Sequence, residues 1–264
     1  MSDLHIRTIR PGLLVSVHAR QSGNRSYSGV ASTTTLAAVA GLVAAYSFDE
    51  GSGDTAGDSS GYGHTGQITG ATWTATARYG NALFFDGTTA LVTIDDSPEL
   101  ALTTGMTLEA WVKPASASSW RDVIYKGPDS YLLEGSSPIG APAGGGTING
   151  NLAIGYGPSA LALGAWTHLA VTYDAATLRL YLDGVEVSSL PATGDLLASV
   201  NPLQIGGNSL YGQHFHGTID EVRIYNIALS AAELSSNMDT HVTPALPPLR
   251  AAGQPHGSLP SSCA

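Results

Sequence analysis

Residues 49–66 (DEGSGDTAGDSSGYGHTG) set short carboxylates among glycines and hydroxyls. A loop of that make-up presents the hard oxygen donors, carboxylate and carbonyl, that Ca2+ takes. A carboxylate of such a loop can instead close an Asx turn, as that of Asp58 would with Ser59 and Ser60 as further donors and acceptors. Further along, His214 and His216 stand two apart in GQHFHG, a spacing that on a strand turns both rings to one face and suits Zn2+ or Cu2+. No third ligand lies near them in sequence, so ordinary loop histidines are the expectation.

Sugar-binding faces expose aromatic rings that stack on the C–H groups of pyranoses, whereas most tryptophans belong to cores. Trp111 in LEAWV and Trp166 in AWTHLAVTY alternate with apolar residues at period two and are expected in the core, and Trp73 is expected to pack as well. Trp120 differs, because it sits between a serine-rich loop and a strand in PASASSWRDVIYKG, beside Arg121 and Asp122. It is the candidate ligand-stacking ring, with Tyr156, Asn208 and Tyr211 as candidate neighbours on loops. The alternative for Trp120 is a hydrophobic plug at the edge of the fold.

The scaffold that must position these groups is β structure. Of 264 residues 43% are hydrophobic and only 12% charged, with 32 glycines and 14 prolines, which is turn-rich composition at a length that buries a sizeable core. A net charge of −10 with only 11 Lys and Arg spread along the chain opposes the phosphate-neutralising surface that nucleic-acid binding needs. No run of about 18 apolar residues is present to span a membrane, and the opening residues lack the apolar core and cleavage site of a signal peptide. Cys263, the one cysteine, cannot form an intrachain disulfide; it is a stray thiol near the C-terminus or a tether to another chain.

Short apolar-alternating runs predict twelve strands, at 43–48, 82–85, 90–93, 106–112, 121–126, 131–134, 152–156, 166–173, 178–182, 185–189, 203–205 and 217–225, in two sheets of about six. Asp183-Gly184, between LRLYL and VEVSSL, predicts a tight primed turn. Ser230, three residues before Glu233, predicts a capping box opening a short helix with Leu234 on its packed side, a lid over one end of the sandwich. Residues 1–40 read as a linker-like segment, 41–240 as the folded domain and 241–264 as a Pro-rich tail.

Six segments carry a family likeness: AYSFDEGSGDTAGDSSGYGHTG, GNALFFDGTTALVTI, LTTGMTLEAWVKP, LGAWTHLAVTYDAATLRLYLDGVEV, LQIGGN and HGTIDEVRIYNIALSAAEL. In that order and spacing, over residues 41–237, the chain resembles the laminin-G-like jelly-roll family, a branch of the concanavalin A-like lectin and glucanase superfamily. The resemblance implies an all-β, two-sheet antiparallel jelly-roll sandwich with a short C-terminal helix and flexible tails. It also implies a structural calcium joining an N-terminal loop to an aspartate near the last strand, which maps onto Asp58 and Asp220. His64 stands where many relatives carry asparagine, leaving its backbone carbonyl as the donor there. For Asp220 the alternative is pairing with Arg223 or with loop amides.

That superfamily holds lectins, adhesins, enzyme appendages and glucanases, so fold alone does not choose a function. Glycoside hydrolysis needs two carboxyl groups flanking the scissile bond, which related glucanases carry on one strand as Glu-x-Asp-x-x-Glu; no such string occurs in this sequence. Glu109 stands alone and is expected to be a structural acceptor, and Asp129 with Glu134 or Asp220 with Glu221 lacks the arrangement. A Gly-x-Ser-x-Gly elbow and a Gly-x-x-x-x-Gly-Lys loop are absent too. The expectation is a non-catalytic, extracellular or cell-surface binding module, monomeric within a larger protein, that takes a glycan. It binds no nucleic acid and does not insert in membranes. A protein-interaction or spacer domain is the alternative.

Overall fold

A computed structural model describes residues 39–243. The expected linker apart from its last two residues, most of the Pro-rich tail, and Cys263 lie outside them. The strands are β1 (Leu42–Tyr46), β2 (Thr55–Ala56), β3 (Gly66–Thr69), β4 (Thr72–Thr74), β5 (Ala82–Asp86), β6 (Leu91–Ile94), β7 (Met106–Pro114) and β8 (Arg121–Lys126). They continue with β9 (Tyr131–Ser136), β10 (Ala143–Ile148), β11 (Asn151–Tyr156), β12 (Thr167–Tyr173), β13 (Thr177–Leu182), β14 (Val185–Pro191), β15 (Leu203–Ile205) and β16 (His216–Tyr225). One α-helix, α1 (Ala231–Met238), follows.

The strands form two antiparallel sheets packed face to face. One runs β14-β13-β12-β7-β16-β5-β4, with β1 also paired to β16; the other runs β11-β10-β9-β8-β15-β6-β3-β2. Alternation explains the packing: Leu169, Val171 and Tyr173 of β12 join the core between the sheets while Ala170 turns outward. Val123, Leu133 and Ile205 meet them from the opposite sheet, each fully buried apolar side chain contributing about 1.5–3 kcal/mol.

All twelve expected strands are present with ends shifted by no more than two residues, but the sheets hold eight strands each, not six. The added strands are the short β2, β3 and β4, and β10, whose AGGGTI opens on a run of glycines with no alternation to mark a strand. Its glycines are demanded by close packing: a Cβ on Gly144 would lie 2.7 Å from Val171 Cβ of the facing sheet. Asn149 (φ 48°) and Gly150 (φ 76°) make the tight turn into β11, as Asp183 (φ 48°) and Gly184 (φ 76°) do between β13 and β14.

Helix α1 starts as expected. Ser230 Oγ accepts from the Glu233 amide and the Glu233 carboxylate accepts from the Ser230 amide at 2.7 Å. Leu234 is buried against Ala170, Tyr181 and Tyr225, outward residues of β12, β13 and β16. The helix therefore covers the outer face of the first sheet; it does not cap an end, because its apolar partners lie on that face. Ser230→Ala removes the cap and is expected to cost about 1 kcal/mol, seen in thermal unfolding as a midpoint lower by about 2–4 °C.

The tryptophans divide differently from expectation. Trp111 is buried, but on the outer face of the helix-covered sheet, 5.4 Å edge-on from the His168 ring and with the Arg78 guanidinium 4.3 Å above it. Trp166 is only half-buried, one residue before β12, and is not part of the core. Trp73 packs against the core as expected and donates to the Gly53 carbonyl at 2.9 Å.

Candidate functional site

With α1 on one sheet, the outer face of the β8–β11 sheet is the one that no described helix covers. Along β11, Ala153 packs inward and Gly155 lies against Ser188, which leaves Leu152, Ile154 and Tyr156 outward, Leu152 58% and Tyr156 40% exposed. The Trp120 ring arrives from the loop before β8 and sits 6.5 Å from the Tyr156 ring, tilted by 40°. Tyr156 opposes Ala143, which opposes Glu134, which opposes Asp122, so one row runs from the aromatic pair over a small residue to two carboxyls. The adjacent row is Ile154, Gly145, Leu132, Tyr125, Gln204 and Thr93.

Tyr211, 52% exposed, stands edge-on to Tyr125 at 6.2 Å and donates its hydroxyl to Asp129 at 3.2 Å. Tyr125 lies three strand spacings from β11, about 14 Å, and Tyr125, Leu132, Glu134 and Ala143 between them are buried, so the exposed rings of Tyr156 and Tyr211 stand at two separate edges of this face. Asn208 is not a surface contact. It is fully buried, donates its side-chain amide to Asp122 and to Gln213 Oε1 (3.0 Å), and accepts from the Tyr211 amide. Its polar atoms must be satisfied inside, and in doing so it fixes the loop that presents Tyr211.

Asp122 and Glu134 were not singled out together from the sequence, because only the β8–β9 register makes them opposite. Both are buried, with one oxygen of each lacking a partner. Burial pushes the Asp122 carboxyl up to about 6 and lifts Glu134 well above the usual carboxylate range, the charge of Asp122 adding to it. Two like carboxyls so placed favour a state in which one of them keeps its proton. Catalytic carboxyls must instead stand apart across a glycosidic bond with access for it.

Of the two histidines, His214 precedes β16 and bridges to Asp122 while His216 opens the strand with its ring 6.0 Å edge-on to Phe84. They do not act as a pair. Glu109 is the expected structural acceptor, taking the Asn237 amide at 2.7 Å beside Arg223.

The expected calcium ligands fare unequally. Asp58 accepts from the amides of Ala45 (3.0 Å), Ser60 (2.9 Å), Gly63 (3.0 Å) and His64 (3.0 Å) and from Ser60 Oγ (2.7 Å). Five donors fill the lone pairs of one carboxylate, so Asp58 closes its own loop and does not fit a cation. The His64 carbonyl is likewise engaged, accepting the Tyr46 hydroxyl at 2.6 Å.

Asp220 is different. A bulge in β16 between Asp220 and Arg223, with Glu221 at φ 56°, falls where the strand leaves β5 and takes up β1. Asp220 Oδ2 accepts from the amides of Arg78 (2.8 Å) and Tyr79 (3.0 Å), but Oδ1 is buried without a partner. Glu221 Oε2 accepts from Val242 N and Arg223, and Oε1 is buried and unpartnered.

Asp49, the residue after Phe48, accepts from the Asn81 amide at 2.7 Å, and its carboxylate lies with Glu221 and His241 in a group whose ligand atoms are within 4.8 Å of one another. Burial drives Asp220 up to about 7 and Glu221 up to about 8, with the Asp49 charge adding to both. Converging carboxylates with orphaned oxygens fit a hard divalent cation, which would satisfy them. Asp49 takes the place that the sequence reading assigned to Asp58. At Gly80 (φ 52°) a side chain would run into the Asp49 carboxylate.

A two-sheet antiparallel sandwich of this strand order, with one short helix on an outer face, is a concanavalin A-like domain. Residues 86–235 match the Laminin_G_3 family model, described as the concanavalin A-like lectin/glucanases superfamily, and the chain belongs to that family. Among solved structures it is similar to domain 4 of AbnA, a GH43 extracellular arabinanase from Geobacillus stearothermophilus, solved in complex with arabinotriose. The identity is 25% and the TM-score 0.58, over 75% of this chain and 98% of that domain.

The binding domain of Paraclostridial Mosquitocidal Protein 1 shares the fold at 14% identity and TM-score 0.61, over 75% of this chain and 52% of that one. So does the binding domain of botulinum neurotoxin DC, solved with rat synaptotagmin II, at 9% identity and TM-score 0.56, over 75% and 51%. Among curated proteins, pappalysin-1 of Mus musculus is 32% identical over 82 residues, 29% of this chain; the aligned stretch spans 5% of its length.

Proposed function

We propose that the chain is a non-catalytic carbohydrate-binding module of an extracellular protein, stacking a sugar on Trp120 and Tyr156 and braced by calcium at Asp49, Asp220 and Glu221. The observation that carries the reading is the half-open Trp120–Tyr156 pair on the face that no described helix covers, since aromatic rings offer flat apolar area where sugar C–H groups pack. The likeness to an arabinotriose-bound domain over nearly all of its length supports it. Asp122 and Glu134 shape the floor of the surface and, buried together, do no hydrolysis.

Calorimetric titration with arabino-, xylo-, galacto- and gluco-oligosaccharides tests the reading. The protein is expected to bind at least one series, and Trp120→Ala to weaken that binding about tenfold, about 1.4 kcal/mol, with the thermal midpoint unchanged. Equal binding by Trp120→Ala would move the site elsewhere. Failure of every glycan would leave protein recognition as the function, with exposed Leu152 beside Tyr156 as its apolar contact.

A further inference from the structure

Charge narrows the glycan class, given the carbohydrate reading on which this step rests. Among the described residues the basic side chains are Arg78, Lys113, Arg121, Lys126, Arg179 and Arg223, and only Arg121 and Lys126 belong to the open sheet. Lys126 is fully buried, its ammonium held by Asp96 at 2.6 Å and by the Asn201 carbonyl at 2.7 Å. The Arg121 guanidinium is held by three carbonyls, of Ser118 (3.0 Å), Gly87 (3.2 Å) and His214 (2.8 Å). Both cations of this sheet are committed to groups of the protein itself.

Carboxyl groups, by contrast, lie under and beside this face, Asp122 and Glu134 buried beneath it and Asp129 at its edge. Asp122 and Glu134 share the row that ends in Tyr156, and Asp129 joins Tyr125 and Tyr211 through their hydroxyls, at 3.0 and 3.2 Å. Recognition of a sugar carboxylate or sulfate calls for a free guanidinium or ammonium, and like charges brought together on desolvation repel. We infer that the ligand of this face is a glycan without acidic substituents, and that uronate, sialylated and sulfated sugars are rejected by the carboxylates of the site.

The test pairs each neutral probe with an acidic counterpart: galactotriose with trigalacturonate, lactose with sialyllactose, and arabinotriose alone, by calorimetry at low and high salt. The expected result is that a neutral probe binds with affinity insensitive to salt, because no charge is screened, while its acidic counterpart binds about tenfold or more weaker and recovers as salt rises. Asp129→Asn is expected to narrow that gap. An acidic probe that binds as tightly as its neutral counterpart, or whose binding falls with salt, overturns the charge inference and leaves the carbohydrate reading intact. Absence of binding by every probe, neutral and acidic alike, overturns both.

Discussion

Excess calcium is expected to raise the thermal midpoint of this protein, chelation to reverse the rise, and Asp49→Ala or Glu221→Gln to abolish it. A ligand that binds only the folded state adds RT ln(1 + [L]/Kd), about 2.7 kcal/mol at a hundredfold excess over Kd, which for a domain of this size is roughly 5 to 10 °C. The physical driver is the buried, unpartnered oxygens on Asp220 and Glu221, with the Asp49 carboxylate grouped with that of Glu221 and its charge acting on Asp220. Asp58→Ala makes the control: it strips five hydrogen bonds from its loop and lowers the midpoint, yet leaves the calcium-dependent rise in place. Gly80→Ala removes no ligand and is expected to abolish the rise by displacing Asp49. No shift at millimolar calcium, or a shift lost in Asp58→Ala and kept in Asp49→Ala, would refute the assignment.

Asp122→Asn raises stability at pH 8 by about 1–3 kcal/mol and leaves it near the parent value at pH 4 to 5. Burial pushes Asp122 to about 6 and Glu134 upward as well. The native pair thus holds a proton that the unfolded chain releases near its ordinary carboxylate range, about 4. Its contribution is fully present below that range and is lost as pH climbs through about 6. The groups around the pair do not reverse this: Asn208 and Gln213 are neutral, Asp129 adds to the rise, Arg121 is committed to carbonyls, and His214 lies alongside.

Asparagine keeps the acceptor for Asn208 and supplies an N–H toward Glu134. Glu109, Asp220 and Glu221, lifted to about 7, 7 and 8, titrate in the same sense. His168, held neutral down to about 3 by burial, acts in the opposite sense at low pH. The quantity to read is therefore the difference between variant and parent in chemical denaturation at each pH. Parallel curves from pH 5 to 8 would sink the shared-proton account.

Where backbone periodicity carries the information, the sequence was enough. The alternation in AWTHLAVTY located β12, the Asp183-Gly184 pair located a turn, and Ser230 with Glu233 located the start of α1. The same alternation could not say which side of a sheet a buried residue takes. Trp111 was expected in the core and lies on the opposite face, because α1 and Arg78 turn that face into a second interior.

Sites built by strand register were illegible for a related reason. Asp122 and Glu134 meet through hairpin register, and Asp49 and Glu221 through the approach of β1 to the bulged β16. One acidic loop holds both Asp49 and Asp58, and nothing local distinguishes the carboxylate that faces Glu221 from the one that ties its own loop. Trp120 stood out because a tryptophan beside a polar serine-rich loop breaks the strand pattern, and the structure places its ring 6.5 Å from that of Tyr156. Asn208 was misjudged because a loop position does not disclose that the loop folds over buried carboxyls.

β16 is the last strand of the domain in sequence yet sits in the interior of its sheet, between β7 and β5, and is the sole partner of β1. A nascent chain therefore cannot complete this sheet until residue 225 has emerged, and up to that moment β5, β7 and β1 each hold an unmatched edge. Assembly of the sandwich accordingly waits on its last strand and is dominated by long-range pairing, which is slow. The same topology marks a natural cut: a chain ended before His216 keeps a slot of fixed register, and a separately supplied segment from His216 through Met238 is the piece that fits it.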